Sequence, residues 1–202
     1  MPDVARTLDL PPGQRFDYWK HALSDTFVPL EVSTPGGDAD FLGRLRGTDL
    51  GSLRLIEVRA EPHTARRTAR LVKVAPAGCY KIGVQLRGTA VLIQDGREAV
   101  LTPGDFAFYD TDRPYTLALT EHRMLVLVFP RDMLGLPQHR LAALTATRLP
   151  GEAGGMATLR GHVVGRWPRM PCPRVRWACH PATPIHLHNG LGEALHYPGS
   201  FS

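Results

Sequence analysis

Apolar residues in the stretch GQRFDYWKHALSDTFV, residues 13–28, recur at spacings of three and four: Phe16, Trp19, Leu23 and Phe27. That period puts them on one face and predicts a helix. Pro11-Pro12 supplies the start signal and Pro29 the stop. Core packing is the first reading of this stripe, with Trp19 kept as a candidate ligand contact. From residue 30 to 130 the pattern changes to short alternating or apolar runs of strand length between turn signals. The runs 41–50 and 53–58 read as a hairpin through Gly51-Ser52. Further strands are predicted at Ala69–Val74, Tyr80–Leu86, Ala90–Gln94, Ala99–Leu101, Phe106–Tyr109, Tyr115–Leu119 and Met124–Phe129. Asp95-Gly96 between two short strands is the strongest hairpin signal. Many short strands with frequent turns argue a double-sheet barrel or jelly roll.

Residues 131–166 return to helix. Arg131–Leu134 after Pro130 reads as a short first turn, Leu136-Pro137 as a break, Leu141–Leu144 as a weaker helical patch, and Met156–Val164 as a helix beginning. Residues 166–202 differ in kind. Six prolines, two of the three tryptophans and two of the three cysteines fall there, and no apolar period survives. Prolines this dense forbid a long helix and interrupt strands, while Trp, Cys and His are not disorder-promoting. The expectation is an out-of-frame translation product, the reading frame shifting near residue 165; the gene's nucleotides decide it. Cys172, Cys179, His180, His186 and His188 do not match compact zinc spacings.

Composition narrows the classes. The chain has 202 residues, 43% hydrophobic, enough for one domain with a real core. No apolar run is long enough to span a membrane, and the N-terminus lacks the apolar segment of a signal peptide. A cytoplasmic protein is expected. The net charge is +5, of which +3 falls in residues 161–202 and +2 in residues 1–160. The main body therefore lacks the electrostatic footprint of a dedicated nucleic-acid binder.

Several motifs come in order: Arg66-Arg67-Thr68, Tyr80 through Gly88, Gln94-Asp95-Gly96-Arg97, Leu101 through Asp105, Tyr109 through Tyr115, and Phe129-Pro130-Arg131. Together with the Arg15…Trp19 helix and Phe41-x-Gly43, this series resembles the sensor domain at the N-terminus of AraC/XylS-type transcriptional regulators. The resemblance covers roughly residues 10–165. It implies a mainly β fold with flanking helices: a cupin-like double-sheet β-barrel (jelly roll) with an N-terminal helix and a C-terminal helical segment. It also implies a small-molecule effector bound between the sheets, dimerisation, and a helix-turn-helix DNA-binding domain that nothing after residue 165 supplies. A homodimer, or a heterodimer with a full-length relative, without direct DNA binding by this chain, is the expectation. The alternative is a stand-alone metal-free small-molecule-binding protein of the same fold.

Candidate inward-facing residues are Tyr80, Ile82, Val84 and Leu86 from one strand and Phe108 and Tyr115 from facing strands, with Arg67 or Gln85 as a polar group. Tyr80 and Tyr115 pair an aromatic face with a hydroxyl, which suits a small aromatic or acidic effector. Gly88, Gly96, Pro103, Gly104, Asp105 and Pro114 are read as turn chemistry. Catalytic barrels of this kind hold a metal through a His-x-His pair, a carboxylate and a later histidine. Residues 30–130 contain only His63 and His122, and no Gly-x-Ser-x-Gly elbow occurs. No metal, no cofactor and no enzymatic activity are expected. Cys79 is read as a buried or idle thiol.

Overall fold

The computed structural model describes residues 1–36, 40–135 and 138–151. The expected helix at Met156–Val164, the break at Leu136-Pro137 and the irregular tail 166–202 lie outside the described residues.

Eleven strands among the described residues form two antiparallel sheets. The six-stranded sheet runs in the order β1 (Asp3–Arg6), β3 (Gly43–Leu50), β4 (Leu53–Ala60), β11 (His122–Pro130), β6 (Cys79–Arg87), β9 (Phe106–Asp110). The five-stranded sheet runs β2 (Glu31–Ser33), β5 (His63–Arg67), β10 (Tyr115–Leu119), β7 (Ala90–Gln94), β8 (Arg97–Leu101). The two sheets face each other as a jelly-roll-like sandwich, and their hydrogen-bond ladders stay separate rather than closing into a barrel. Side chains from both inner faces fill the space between them. Leu45, Ile56, Leu92 and Leu101 are essentially fully buried there.

The predicted N-terminal helix is α1 (Arg15–Thr26), entered through a 3-10 turn at Pro12–Gln14. Its face of Phe16, Trp19 and Leu23 is buried as the spacing requires. Trp19 lies flat against the start of β3, and only a glycine leaves room for it. A Cβ on Gly43 would sit 2.6 Å from the indole.

The run Ala69–Val74 corrects the reading from sequence. It is a helix, α2, not a strand. A six-residue segment of mixed apolar and charged residues, Ala-Arg-Leu-Val-Lys-Val, is ambiguous by period alone, and the deciding residue is Thr68, whose Oγ1 accepts from the Leu71 N–H as an N-cap. Three strands carry too little apolar alternation to be read: β1, β2 and β5. Each is short, and β5 (His63-Thr-Ala-Arg-Arg) has a single aliphatic residue.

The turns follow their residues. Asp95 and Gly96 have φ of 56° and 72°, the paired positive values of a type I′ hairpin. Gly88 has φ of 75°, and a Cβ there would meet the Glu121 carbonyl oxygen at 2.0 Å. In the Pro103-Gly104-Asp105 turn, the Asp105 carboxylate accepts from the Thr102 N–H and hydroxyl and pairs with Arg148.

After β11 come a 3-10 turn (Arg131–Leu134) and α3 (Gln138–Leu144). The following chain bridges Phe106 to Leu149 and Phe108 to Thr145, covering the free edge of β9. Arg97 anchors it by donating to the Thr145 carbonyl at 2.8 Å. A second apolar cluster forms on the outer face of the six-stranded sheet: Tyr80, Phe108, Phe129 and Leu141, with Leu53, Ile82 and Leu127 against it.

Candidate functional site

Strand pairing fixes which side chains enter the space between the sheets. On β6 the pairs Tyr80↔Phe129 and Ile82↔Leu127, with Ile82↔Phe108 across to β9, all belong to the outer cluster. The opposite phase, with Lys81 and Gln85, points inward.

This corrects the expected orientation. Tyr80, Ile82 and Phe108 lie on the outer face, and Val84 shares their phase. The Tyr80 ring stands 4.8 Å from that of Phe108, with the Arg131 guanidinium over it at 4.9 Å. A displacement of one residue moves a whole strand's side chains to the other face. Here the outer face is as apolar as the inner one, so alternation could not choose between them.

A cavity of about 40 Å³ lies between the sheets. The six-stranded sheet contributes Lys81, Tyr109, His122, Met124 and Val126. The five-stranded sheet contributes His63, Ala65, Tyr115 and Leu117. Leu23 and Phe27 of α1 and its exit close one side. Among the described lining residues none is a carboxylate.

At one pole the Lys81 ammonium donates to the Tyr115 hydroxyl at 3.2 Å. It also faces three rings, Phe27 at 4.5 Å, Tyr115 at 5.7 Å and Tyr109 at 5.8 Å. The two tyrosine rings meet edge to face, 5.1 Å apart. Burial pushes both phenols above their ordinary value, Tyr109 strongly so, and both stay neutral.

At the other pole His63 and His122, from opposite sheets, bring their rings to 5.3 Å. Each places Nδ1 2.9 Å from a backbone carbonyl two residues earlier, Glu61 and Thr120. A carbonyl only accepts, so Nδ1 carries the proton and Nε2 presents its lone pair. Burial lowers His63 to about 4 and moves His122 in the same direction, leaving both imidazoles neutral at pH 7. His122 Nε2 is buried without a hydrogen-bond partner among the described residues. Two histidines alone do not make a metal site, and among the described residues no cluster of three or more His, Cys, Asp or Glu is present.

The remaining predicted residues are placed as follows. Tyr115 lines the cavity. Arg67 is fully buried and donates to the backbone carbonyls of Thr111, Pro29 and Ala75, which stitches three loops together. Gln85 is buried, donating to the Arg87 carbonyl at 2.8 Å, with its Oε1 unpartnered among the described residues. Trp19 is buried beside His63 and Phe41, not in the cavity wall. Cys79 is buried, its Sγ 3.2 Å from the Ala77 carbonyl.

Sequence reasoning did not single out Lys81, Tyr109, His63, His122, Leu23 and Phe27 as site residues. One signal was available. The chain has 21 arginines and 3 lysines, so a lysine mid-strand in so arginine-rich a chain stands out.

Comparison with known proteins agrees with this architecture. Residues 19–176 match the AraC-binding-like domain family. An uncharacterised protein from the nit 5′ region of Bacillus sp. strain OxB-1 is 32% identical over 160 residues, covering 79% of this chain and 62% of that protein. The transcriptional activator NphR of Rhodococcus sp. is 27% identical over 164 residues, covering 80% of this chain and 48% of NphR. The crystal structure of the AraC-like transcriptional activator CuxR superposes with a TM-score of 0.68 at 22% identity, covering 79% of this chain and 59% of that one. The chain thus spans about half to three fifths of the length of these relatives.

Proposed function

Because the chain belongs to the AraC-binding-like domain family, we propose that residues 10–165 form the effector-sensing and dimerisation domain of an AraC-type transcriptional regulator. The effector is a small aromatic acid held between the sheets. It acts by binding and is not turned over, and the protein works in the cytoplasm, paired with a second copy or a full-length relative. Among the described residues no helix is long and apolar enough to cross a membrane.

One observation carries this reading. A lysine ammonium sits between the sheets among aromatic faces and beside a neutral phenol hydroxyl, in a wall whose described residues include no carboxylate. A carboxylate suits the ammonium and hydroxyl as a charge-assisted partner, and an aromatic body suits the Phe27, Tyr109 and Tyr115 faces. The unpartnered Nε2 of His122 offers an acceptor for a hydroxyl at the far end. The cavity, at about 40 Å³, is far below the roughly 300–1,000 Å³ of ligand pockets. Effector binding therefore selects an expanded form, and the energy of that shift comes from differential affinity for the two states.

The test is a thermal-shift series on the full chain with benzoate, phenylacetate and salicylate against benzyl alcohol and neutral sugars. A ligand at about 100 times its Kd stabilises by about 2.7 kcal/mol. At least one aromatic acid is expected to raise the melting temperature saturably, with the effect lost in Lys81→Met. No shift with any acid, or an equal shift in Lys81→Met, refutes the effector class. Light scattering on the same samples reads the dimer.

A further inference from the structure

Five arginines stand directly opposite one another across five adjacent strands of the six-stranded sheet: Arg6↔Arg44, Arg44↔Arg59, Arg59↔Arg123 and Arg123↔Arg87. On four of the strands their neighbours are buried toward the core: Ala5 on β1, Gly43 and Leu45 on β3, Val58 and Ala60 on β4, His122 and Met124 on β11. The row therefore projects from the outer face. At about 4.8 Å between strands it extends roughly 19 Å. Like charges placed directly opposite destabilise a sheet, so such a row needs anions.

Four of the five have them. Arg44 holds Asp3 through two contacts at 2.7 and 2.9 Å, and Arg123 holds Glu57 at 2.8 Å. Arg6 and Asp9, and Arg87 and Glu121, are looser at 3.8 Å. Arg59, at the centre between Arg44 and Arg123, is exposed and has no ion pair or side-chain hydrogen bond among the described residues.

Arg59 also lines a groove of about 420 Å³ with Arg6 and Arg44. Leu8 and Leu42, 53% and 42% exposed, supply apolar lining, and Glu61 and Glu121 line the groove as well. The volume lies in the range of small-molecule sites.

We propose that this groove is a second ligand site, separate from the space between the sheets, for a small phosphate monoester carrying a compact apolar group. The free guanidinium of Arg59 presents a planar fork that matches two phosphate oxygens. The loosely held Arg6 supplies the charge for a second negative charge, and Leu8 and Leu42 receive the apolar group. The two glutamates in the lining work against a long polyanion lying across the groove, which favours a small ester over a nucleic-acid backbone.

The test is titration of the full chain with phenyl phosphate at pH 7.5, where the phosphate is a dianion. Saturable one-to-one binding is expected, weakened about tenfold or more in Arg59→Ala, in keeping with loss of a charge-assisted bidentate contact. Inorganic phosphate is expected to bind about tenfold more weakly, having no apolar group. Arg59→Ala is expected to melt no lower than the parent without ligand, and Lys81→Met to bind phenyl phosphate normally, which separates this site from the effector cavity. The proposal is overturned by absence of saturable binding, by equal binding in Arg59→Ala, or by duplex DNA binding through Arg59 while phenyl phosphate does not.

Discussion

Acid should weaken this fold through His63 as pH falls from 7 toward 5. The imidazole is packed against Trp19, Phe41 and His122, and burial lowers it from 6.5 to about 4. In the unfolded chain it takes up its proton near 6.5. Between those values the unfolded state binds more protons than the folded state, so stability is full above about pH 6.5 and falls as pH drops. The slope reaches at most about 1.4 kcal/mol per pH unit. From pH 7 to pH 5 the loss integrates to about 2 kcal/mol, levelling near 3 kcal/mol at pH 4. His122, lowered by the same cause, adds with the same sign. For a domain this size 2 kcal/mol lowers the melting temperature by about 4–8 °C. The assay is urea unfolding at half-unit steps from pH 7.5 to 5 on the parent and on His63→Asn, which keeps a donor for the Glu61 carbonyl but does not titrate. The variant is less stable at neutral pH, yet its stability should decline by about 2 kcal/mol less across the window. Parallel declines would show that His63 is not held neutral by burial.

Three further outcomes follow from single contacts. Gly43→Ala drives a Cβ into the Trp19 indole and should cost about 1–3 kcal/mol by overpacking, read as a lower urea midpoint with unchanged slope. Arg67→Met strands one buried carbonyl and two half-buried ones and should cost about 2–3 kcal/mol; a loss under 1 kcal/mol would contradict the stitching role. Tyr80→Leu removes an aromatic from the outer cluster, so stability should fall by about 1–2 kcal/mol while the shift produced by an aromatic acid stays unchanged.

The sequence was legible where one face alone had to be apolar. The α1 stripe of Phe16, Trp19 and Leu23, the Asp95-Gly96 hairpin and the succession of short strands all appear in the structure. It was misleading at β6 because both of that strand's faces are covered. The even positions Tyr80, Ile82 and Val84 are the more hydrophobic set, yet they pack outward under α3 and the edge segment. The odd positions carry Lys81 and Gln85 into the interior. Polar residues at interior positions break the binary pattern, as residues at functional sites do. His63 and His122, 59 positions apart, meet only because β5 and β11 belong to facing sheets. No spacing rule along one chain reports such a meeting.

The wall formed by Leu23 and Phe27 differs in kind from the others around the interior. Strand walls are tied to their neighbours by continuous backbone ladders, and parting them breaks many bonds at once. A helix carries its backbone bonds within itself, and α1 is held from outside by packing and a few side-chain contacts, Ser24 with the Leu30 backbone and Arg15 with the Leu10 carbonyl and Asp40. If the proposed effector enters the interior, swelling is expected to cost least at α1 and to reach β1 and the chain leading into that helix first. Trp19 rides on the same helix, so its emission offers a built-in gauge of that movement.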